Sequence, residues 1–167
     1  MSVLSSREVF DGEEAVEVTL CRAAHDEPGL VRALLDIDLQ SFAESTFSEH
    51  MAAAFAAHAA VFLLRTHKRP IGSCVVLRGL DDPGEAILVA MSILPGWRGR
   101  GLGEWMLACV HRELARLGFS SVVLHVGARN QRALRVYHEV GFQTVHEDDD
   151  PIEAGERRLR LRATLCA

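Results

Sequence analysis

The residues best suited to binding a ligand form a short glycine-rich turn, Arg98-Gly99-Arg100-Gly101-Leu102-Gly103. The turn follows an apolar run at 86–94 that is typical of a buried strand and that ends at Pro95. It precedes an amphipathic segment at 102–117 that is typical of a helix. A strand, a glycine turn and a helix in this order expose free backbone N–H groups at the positive end of a helix dipole. This arrangement predicts a site for a phosphate-bearing ligand.

The sequence of the glycine turn does not match two common phosphate-binding loops. A Walker A loop ends in Gly-Lys-Ser or Gly-Lys-Thr, whereas Gly103 is followed by Glu104 and Trp105. A dinucleotide fingerprint has the spacing G-x-G-x-x-G, lies early in the chain and is followed by an acidic residue roughly 20 positions later. The ligand is therefore not expected to be ATP or a nicotinamide or flavin dinucleotide.

The bulk properties indicate one soluble domain. The chain has 167 residues, of which 49% are hydrophobic and 25% charged, and its net charge of −5 argues against a nucleic-acid surface. Its four cysteines form no C-x-x-C pair, so no metal site is expected. No apolar run reaches the roughly 18 residues of a membrane span, and the first ten residues lack a signal pattern, which predicts a cytoplasmic protein.

The periodicity predicts an α/β fold that follows a loose N-terminus at 1–13, with one domain at 14–167. Helices are expected at 28–39, 48–60, 102–117 and 130–140, and strands at 16–20, 61–65, 71–77, 85–94, 121–126, 142–145 and 157–165. The strand–helix–strand unit at 86–126 should be a right-handed crossover between parallel strands.

Two motifs together resemble one known family. The first is R-x-x-G-x-G, present as Arg98, Gly101 and Gly103. The second is N-x-x-A-x-x-x-Y-x-x-x-G-F, present as Asn130, Ala133, Tyr137, Gly141 and Phe142. On these residues the chain resembles the GCN5-related N-acetyltransferase (GNAT) family, and loosely the protein and ribosomal-protein N-terminal acetyltransferases within it. The resemblance implies a GNAT-type acyl-CoA N-acyltransferase fold, with a mixed, mostly antiparallel sheet, a central splayed parallel pair and about four helices.

The resemblance also implies acetyl-CoA as the cosubstrate. Backbone amides of the glycine turn would surround the pyrophosphate, and the pantetheine arm would pair with an opened strand edge, where relatives often carry a bulge. The residues implied to bind it are Met91, Ser92, Ile93, Arg98, Gly99, Arg100, Gly101, Leu102, Gly103, Glu104, Asn130, Ala133 and Tyr137.

The implied reaction is direct attack of a primary amine on the acetyl group. By resemblance, Tyr137 is the general acid that protonates the leaving thiolate. His125, the one polar residue of an apolar strand, stands in a Leu-His-Val stretch similar to the base position of N-terminal acetyltransferases. Glu85 is a second candidate base, and proton loss to ordered water, with no dedicated base, stays open.

The acceptor is less well defined than the donor. In the family the acceptor lies against the segments matching 28–60 and 143–157, which are acidic here. This predicts a cationic small-molecule or peptide amine, such as a polyamine or a peptide N-terminus. Two other functions stay open, a non-catalytic acetyl-CoA-binding or sensing module and an acyltransferase that uses a longer acyl-CoA, and so does a homodimer.

Overall fold

A computed structural model of the chain describes residues 1–42, 46–67, 69–150 and 155–166. Within these ranges, one eight-stranded sheet has the order β1-β2-β3-β4-β5-β6-β8-β7 and carries four α-helices. The strands are β1 Ser2–Asp11, β2 Glu14–Arg22, β3 Ala60–Arg65, β4 Pro70–Arg78, β5 Glu85–Ile93, β6 Ser121–Gly127, β7 Gln143–Asp149 and β8 Arg157–Thr164. The helices are α1 Leu30–Ser41, α2 Glu49–His58, α3 Leu102–Arg116 and α4 Gln131–Glu139.

The sheet confirms the predicted fold class. Neighbouring strands are antiparallel except for β5 and β6, which are parallel and are joined by α3. No helix in the described ranges is both long and apolar enough to cross a bilayer.

The loose N-terminus expected at 1–13 is wrong, because Ser2–Asp11 forms β1 and pairs along its length with β2. The two strands turn at Gly12, whose φ of 65° lies in the left-handed region that glycine adopts readily. Only Val9 of β1 is buried. A strand that buries one side chain leaves no apolar alternation, so its sequence gave no signal.

Helices cover both faces of the sheet centre. Consecutive residues of β3 and β4 are buried, which requires packing on each face. Helices α1 and α2 pack on β3, β4 and β5, while α3 packs on β1, β5 and α4. The largest fully buried side chains include Phe62, Leu64, Ile71, Met106, Leu114 and Phe142.

Strands β5 and β6 separate halfway along their length. Their ladder begins at Glu85–Ser121 and ends at Leu88–Leu124. At this point β5 has an extra residue relative to β4, because Val75 pairs with Ala90 but Val76 pairs with Leu88. This β-bulge at Val89 bends the strand away from its parallel partner. The predicted splay is therefore present, and it opens a cleft between the two strands.

A buried carboxylate holds the two residues Thr46 and Phe47, which lie shortly before α2. Asp38 is 1% exposed and accepts a hydrogen bond from the backbone N–H of Thr46 at 2.6 Å and from that of Phe47 at 3.2 Å. The Thr46 hydroxyl also donates to Asp38. The end of α1 is thereby tied to the residues just before α2, and residues 41–42 and 46–47 form part of one wall of the cleft.

We expect Asp38→Ala to lower the free energy of unfolding by about 2–3 kcal/mol, because it removes a buried carboxylate that accepts hydrogen bonds from two backbone N–H groups and one hydroxyl. Asp36→Ala is the matched control, since the side chain of Asp36 is 44% exposed and pairs with Arg32 one helical turn away. Its effect should stay within about 0.5 kcal/mol. Urea denaturation of both variants measures the difference, and equal effects would contradict the role given to Asp38.

Candidate active site

The separation of β5 and β6 creates a cleft of about 1220 Å³. Its walls come from the second half of β5, the glycine turn, α4, the end of β6 and the segment between α1 and α2. Of the residues predicted from the sequence, the cleft is lined by Met91, Ser92, Ile93, Arg98, Gly99, Gly101, Leu102, Gly103, Glu104, His125, Asn130, Ala133 and Tyr137.

The glycine turn leaves the start of α3 open to the cleft. Gly101 is the N-cap residue, has a φ of 66° and provides no side-chain cap. The first hydrogen bond of the helix runs from the Trp105 N–H to the Gly101 carbonyl at 3.2 Å. The N–H groups of Leu102, Gly103 and Glu104 thus have no intrahelical acceptor. Because the helix dipole adds positive potential here, the turn can bind an anionic group.

Gly103 keeps the floor of the cleft free. A Cβ at this position would lie 3.5 Å from Val136 Cγ1 and 3.6 Å from Met91 Cε. Such a carbon would occupy the space where β5, α3 and α4 meet. A ligand can therefore approach the backbone at this junction.

Arg98 holds two walls of the cleft together. Its Nε donates to the Ile93 carbonyl at 2.7 Å, and its Nη2 donates to the Ser41 carbonyl at 2.9 Å. Burial, and then the charge of Arg132, lowers the pKa of Arg98. Its guanidinium links β5 to the end of α1, so much of its hydrogen-bonding capacity is already used within the protein.

Arg100 does not line the cleft. Its Nη2 donates to Asp11 Oδ1 at 2.9 Å and to the Gly96 carbonyl at 3.0 Å, and its guanidinium lies 4.7 Å from the centre of the Trp97 ring. This placement joins the glycine turn to β1. It does not support the contact with a ligand that the sequence predicted.

Sequence reasoning missed two other arginines that line the cleft, Arg132 and Arg135 on α4. Their spacing of three residues places both on one side of the helix. Arg129, three positions earlier, continues the same basic series. This repeat of arginines at every third position could have identified them from the sequence, because positive side chains near an open helix N-terminus favour binding of a phosphate-bearing ligand.

Helix α4 brings Asn130, Ala133 and Tyr137 to the cleft. Asn130 caps the helix as predicted, since its side-chain oxygen accepts from the Ala133 N–H at 3.1 Å. The Tyr137 ring packs edge-to-face on Phe142, with ring centres 5.6 Å apart. Burial, followed by the neighbouring Cys74 thiol, raises the pKa of Tyr137 to about 12. The phenol therefore stays protonated at neutral pH and can donate a proton.

His125 is the first residue of β6 beyond the last β5–β6 pair, and its exposed side chain lines the cleft. The surrounding protein shields part of the ring from water, and this partial burial lowers its pKa below the usual 6.5. The charges of Arg158 and Arg160 lower the pKa further, and Asp148 opposes them. The imidazole is thus largely neutral at pH 7 and can accept a proton.

Glu85 shares the sheet face of His125 but lies at the opposite end of the ladder. It is opposite Ser121, outside the cleft. Its carboxylate pairs with Arg160 Nη2 at 3.1 Å and with Arg162 Nη1 at 3.8 Å. This placement does not support Glu85 as a base for chemistry in the cleft.

The wall formed by the α1–α2 segment is mainly apolar. It contributes Ser41, Phe42, Thr46, Phe47, Met51 and Phe55 to the cleft. Glu104, on α3, is the sole carboxylate among the described lining residues. Arg158 of β8 also lines the cleft, although sequence reasoning did not single it out.

The acidic residues of 28–60 and 143–157 that the structure describes lie elsewhere. Asp36 pairs with Arg32, and Asp38 is buried in the α1–α2 connection. Glu147 and Asp149 both pair with Arg157. Glu44 and residues 151–154 lie outside the described ranges. None of the described acids of these two segments lines the cleft, although Asp148 acts on the pKa of His125 and Asp150 pairs with Arg158. They therefore do not form the acidic rim expected to attract a cationic acceptor.

Comparisons with known sequences agree with this geometry. The acetyltransferase (GNAT) family model matches residues 29–142. The mycothiol acetyltransferase of Mycobacteroides abscessus is 38% identical over 71 residues, which are 42% of this chain and 24% of that protein. The chain thus spans about a quarter of the length of that relative. An uncharacterized N-acetyltransferase of Mycobacterium bovis is 29% identical over 70% of this chain and 69% of its own length.

Comparisons with solved structures show the same fold. The ribosomal-protein-S18-alanine N-acetyltransferase of Escherichia coli superposes with a TM-score of 0.76 at 20% identity, over 90% of this chain and 95% of that one. A GNAT acetyltransferase of Elizabethkingia anophelis, solved with acetyl-CoA bound, has a TM-score of 0.69 at 16% identity, over 89% and 98% of the two chains. Since the family model spans more than half of the sequence and the fold agrees, the protein belongs to the acetyltransferase (GNAT) family.

Proposed function

We propose that the protein transfers the acetyl group of acetyl-CoA to a primary amine. The observation that carries this proposal is the meeting of two open backbone edges in one cleft. The start of α3, which has no side-chain cap, and the half of β5 that has no β6 partner both line it. Tyr137 and His125 lie along the same cleft. The phosphates of acetyl-CoA can bind the N–H groups at the start of α3, and its amides can pair with the open edge of β5. The two side chains can accept and donate the protons that move when an amine attacks the thioester.

The lining residues fit acetyl-CoA part by part. The N–H groups at the start of α3 would hold the pyrophosphate, with charge added by Arg132 and Arg135. The backbone at 91–93, which lacks a β6 partner, would pair with the pantetheine amides. When bound, acetyl-CoA supplies an acetyl group activated as a thioester.

The chain's own groups would then move the protons. His125, neutral at pH 7, accepts the proton of the acceptor ammonium, directly or through water. The amine nitrogen forms a bond to the carbonyl carbon, and the carbon–sulfur bond breaks. A backbone N–H at 91–93 stabilises charge on the carbonyl oxygen. Tyr137, whose phenol is protonated at neutral pH, donates its proton to the departing sulfur, and the second proton that the attacking nitrogen loses as the amide forms returns to the phenolate, directly or through water.

The first test separates anion binding from general strain. Gly101→Ala should weaken coenzyme A binding at least roughly tenfold, because a Cβ at φ 66° costs about 1 kcal/mol or more and disturbs the turn. Gly118→Ala is the matched control at the other end of α3, with a φ of 88° and open space around the added carbon. It should lose similar stability and retain affinity. Calorimetric titration with coenzyme A measures both, and equal affinity losses would argue against the turn as the phosphate site.

The second test concerns Tyr137. Tyr137→Phe should lower kcat by roughly a hundredfold or more and leave coenzyme A affinity within about twofold, because only the proton donor is lost. Glu139→Gln, an exposed change on the same helix, should alter neither quantity. Thiol release from acetyl-CoA with a panel of amines gives the rates. Unchanged turnover in Tyr137→Phe would remove the acid role, whereas tight binding without release by the unaltered protein would instead favour a sensing module.

The third test uses the pH dependence of kcat/KM. Because burial and the charges of Arg158 and Arg160 disfavour the imidazolium form, the acidic limb of the profile should have its midpoint below 6.5. Activity is then lost as the pH falls through the lowered pKa and His125 becomes protonated. His125→Gln should abolish this limb, and Arg158→Gln should move it to higher pH. His146→Gln, which changes an exposed histidine outside the cleft, should keep it. A profile that His125→Gln leaves unaltered would remove His125 as the base.

A further inference from the structure

We propose that the acceptor is an amine that carries both an apolar group and a carboxylate, which is the chemistry of an apolar α-amino acid. This inference rests on the proposed function, and it names the substrate class of the same cleft. It differs from the cationic small-molecule or peptide amine that the acidity of the sequence suggested.

The apolar part of the argument is a group of uncovered hydrophobic side chains in the cleft. Phe42 and Met51 are each 45% exposed and Val89 is 40% exposed, although all three are large apolar residues that line one cavity. Behind them, Phe47 and Phe55 pack edge-to-face, with ring centres 5.4 Å apart. An uncovered apolar patch inside a concave site is typical of a surface that a ligand covers.

This apolar wall has a fixed position. Asp38 holds the backbone of Thr46 and Phe47, and Arg98 holds the Ser41 carbonyl at the end of α1. Because Ser41, Thr46 and Phe47 are each held by a hydrogen bond, the apolar side chains beside them can select a ligand by shape. Because this wall lies in the same cleft as His125, an amine near the imidazole could place its apolar group against these rings.

The charge of the cleft gives the second part of the argument. Arg158 lines it, and the contact of Arg158 Nη1 to Asp150 at 3.3 Å involves one nitrogen of a guanidinium that has further N–H donors. The pKa of His125 is lowered first by burial and then by the positive charges of Arg158 and Arg160, whose effects are each larger than the opposing effect of Asp148. A ligand carboxylate is attracted to such a site, whereas a second ammonium group is repelled.

The two features together select among amines. A polyamine would place a second cation close to Arg158, which costs electrostatic energy. A simple aromatic amine would pack against the apolar wall but would offer no carboxylate to Arg158. An apolar amino acid satisfies both, because its ammonium, carboxylate and side chain diverge from a single carbon atom.

The test is a panel of acceptors with the full chain and acetyl-CoA, followed by thiol release. The panel contains L-phenylalanine, L-leucine, L-alanine, phenethylamine and spermidine. We expect kcat/KM for phenylalanine or leucine to exceed that for phenethylamine by roughly tenfold to a hundredfold, the usual effect of one charge-assisted hydrogen bond. Alanine should be at least roughly tenfold poorer than the larger amino acids. Preference for spermidine, or equal rates with phenethylamine, would overturn the inference.

Paired variants locate the preference. Arg158→Gln should reduce the phenylalanine-to-phenethylamine ratio to near one. Arg157→Gln, the neighbouring change at a residue that pairs with Glu147 and Asp149 outside the cleft, should keep the ratio. Met51→Ala should reduce the phenylalanine-to-alanine ratio, and Leu39→Ala, which removes an exposed apolar residue outside the cleft, should keep it. Ratios that respond equally to a variant and its control would contradict the assignment.

A binding measurement separates this inference from the proposed function. N-acetyl-L-phenylalanine and N-acetylspermidine are titrated into the protein in the presence of coenzyme A. Binding of the former without turnover of any amine would overturn the catalytic proposal and sustain the acceptor chemistry. Turnover of other amines without such binding would overturn the acceptor chemistry and sustain catalysis. Absence of both would overturn both.

Discussion

The end of the β5–β6 ladder at Leu88–Leu124 is the constraint on which the site depends. Had the two strands stayed paired, the backbone of β5 would bond to β6 and no cleft would exist. The bulge at Val89 makes the separation compatible with continued pairing to β4, because the extra residue shifts the register on that side. Unpaired backbone groups in a sheet centre are costly unless another partner occupies them. The separation therefore costs least free energy when a ligand with amide groups pairs with the open edge of β5.

The same geometry explains how a chain of net charge −5 can contain a positive cleft. Its described acidic residues are largely used within the protein, in ion pairs such as Arg157 with Glu147 and Asp149, or in ordering backbone as Asp38 does. The cleft retains the arginines of α4 and β8 together with the open end of α3. Net charge describes the whole surface, whereas a ligand responds to the local field, and in a concave site this field is set by a few groups.

Much of the fold was predictable because most elements carry strong local signals. The helix that begins at Leu102 and the strand at Ser121–Gly127 follow directly from apolar periodicity, and Asn130 and Gly141 bound α4 as the sequence indicated. The strand at Ser2–Asp11 was not predictable, because its stability comes from pairing and from contacts of Arg7 and Asp11 with the glycine turn rather than from its own pattern. Those contacts are between residues about ninety positions apart.

The site shows the same division between local and long-range information. The positions of the glycines and of Tyr137 follow from motifs, but the partner of a charged side chain does not. Arg98 and Glu85 both have residue types suited to a site, yet one joins β5 to α1 and the other pairs with Arg160 and Arg162. By bonding to the carbonyls of Ile93 and Ser41, Arg98 fixes the distance between the strand that we propose binds acetyl-CoA and the helix end that we propose faces the acceptor. An arginine in this motif can therefore matter for acetyl transfer without touching a phosphate, because the reacting groups must be held within bonding range of each other.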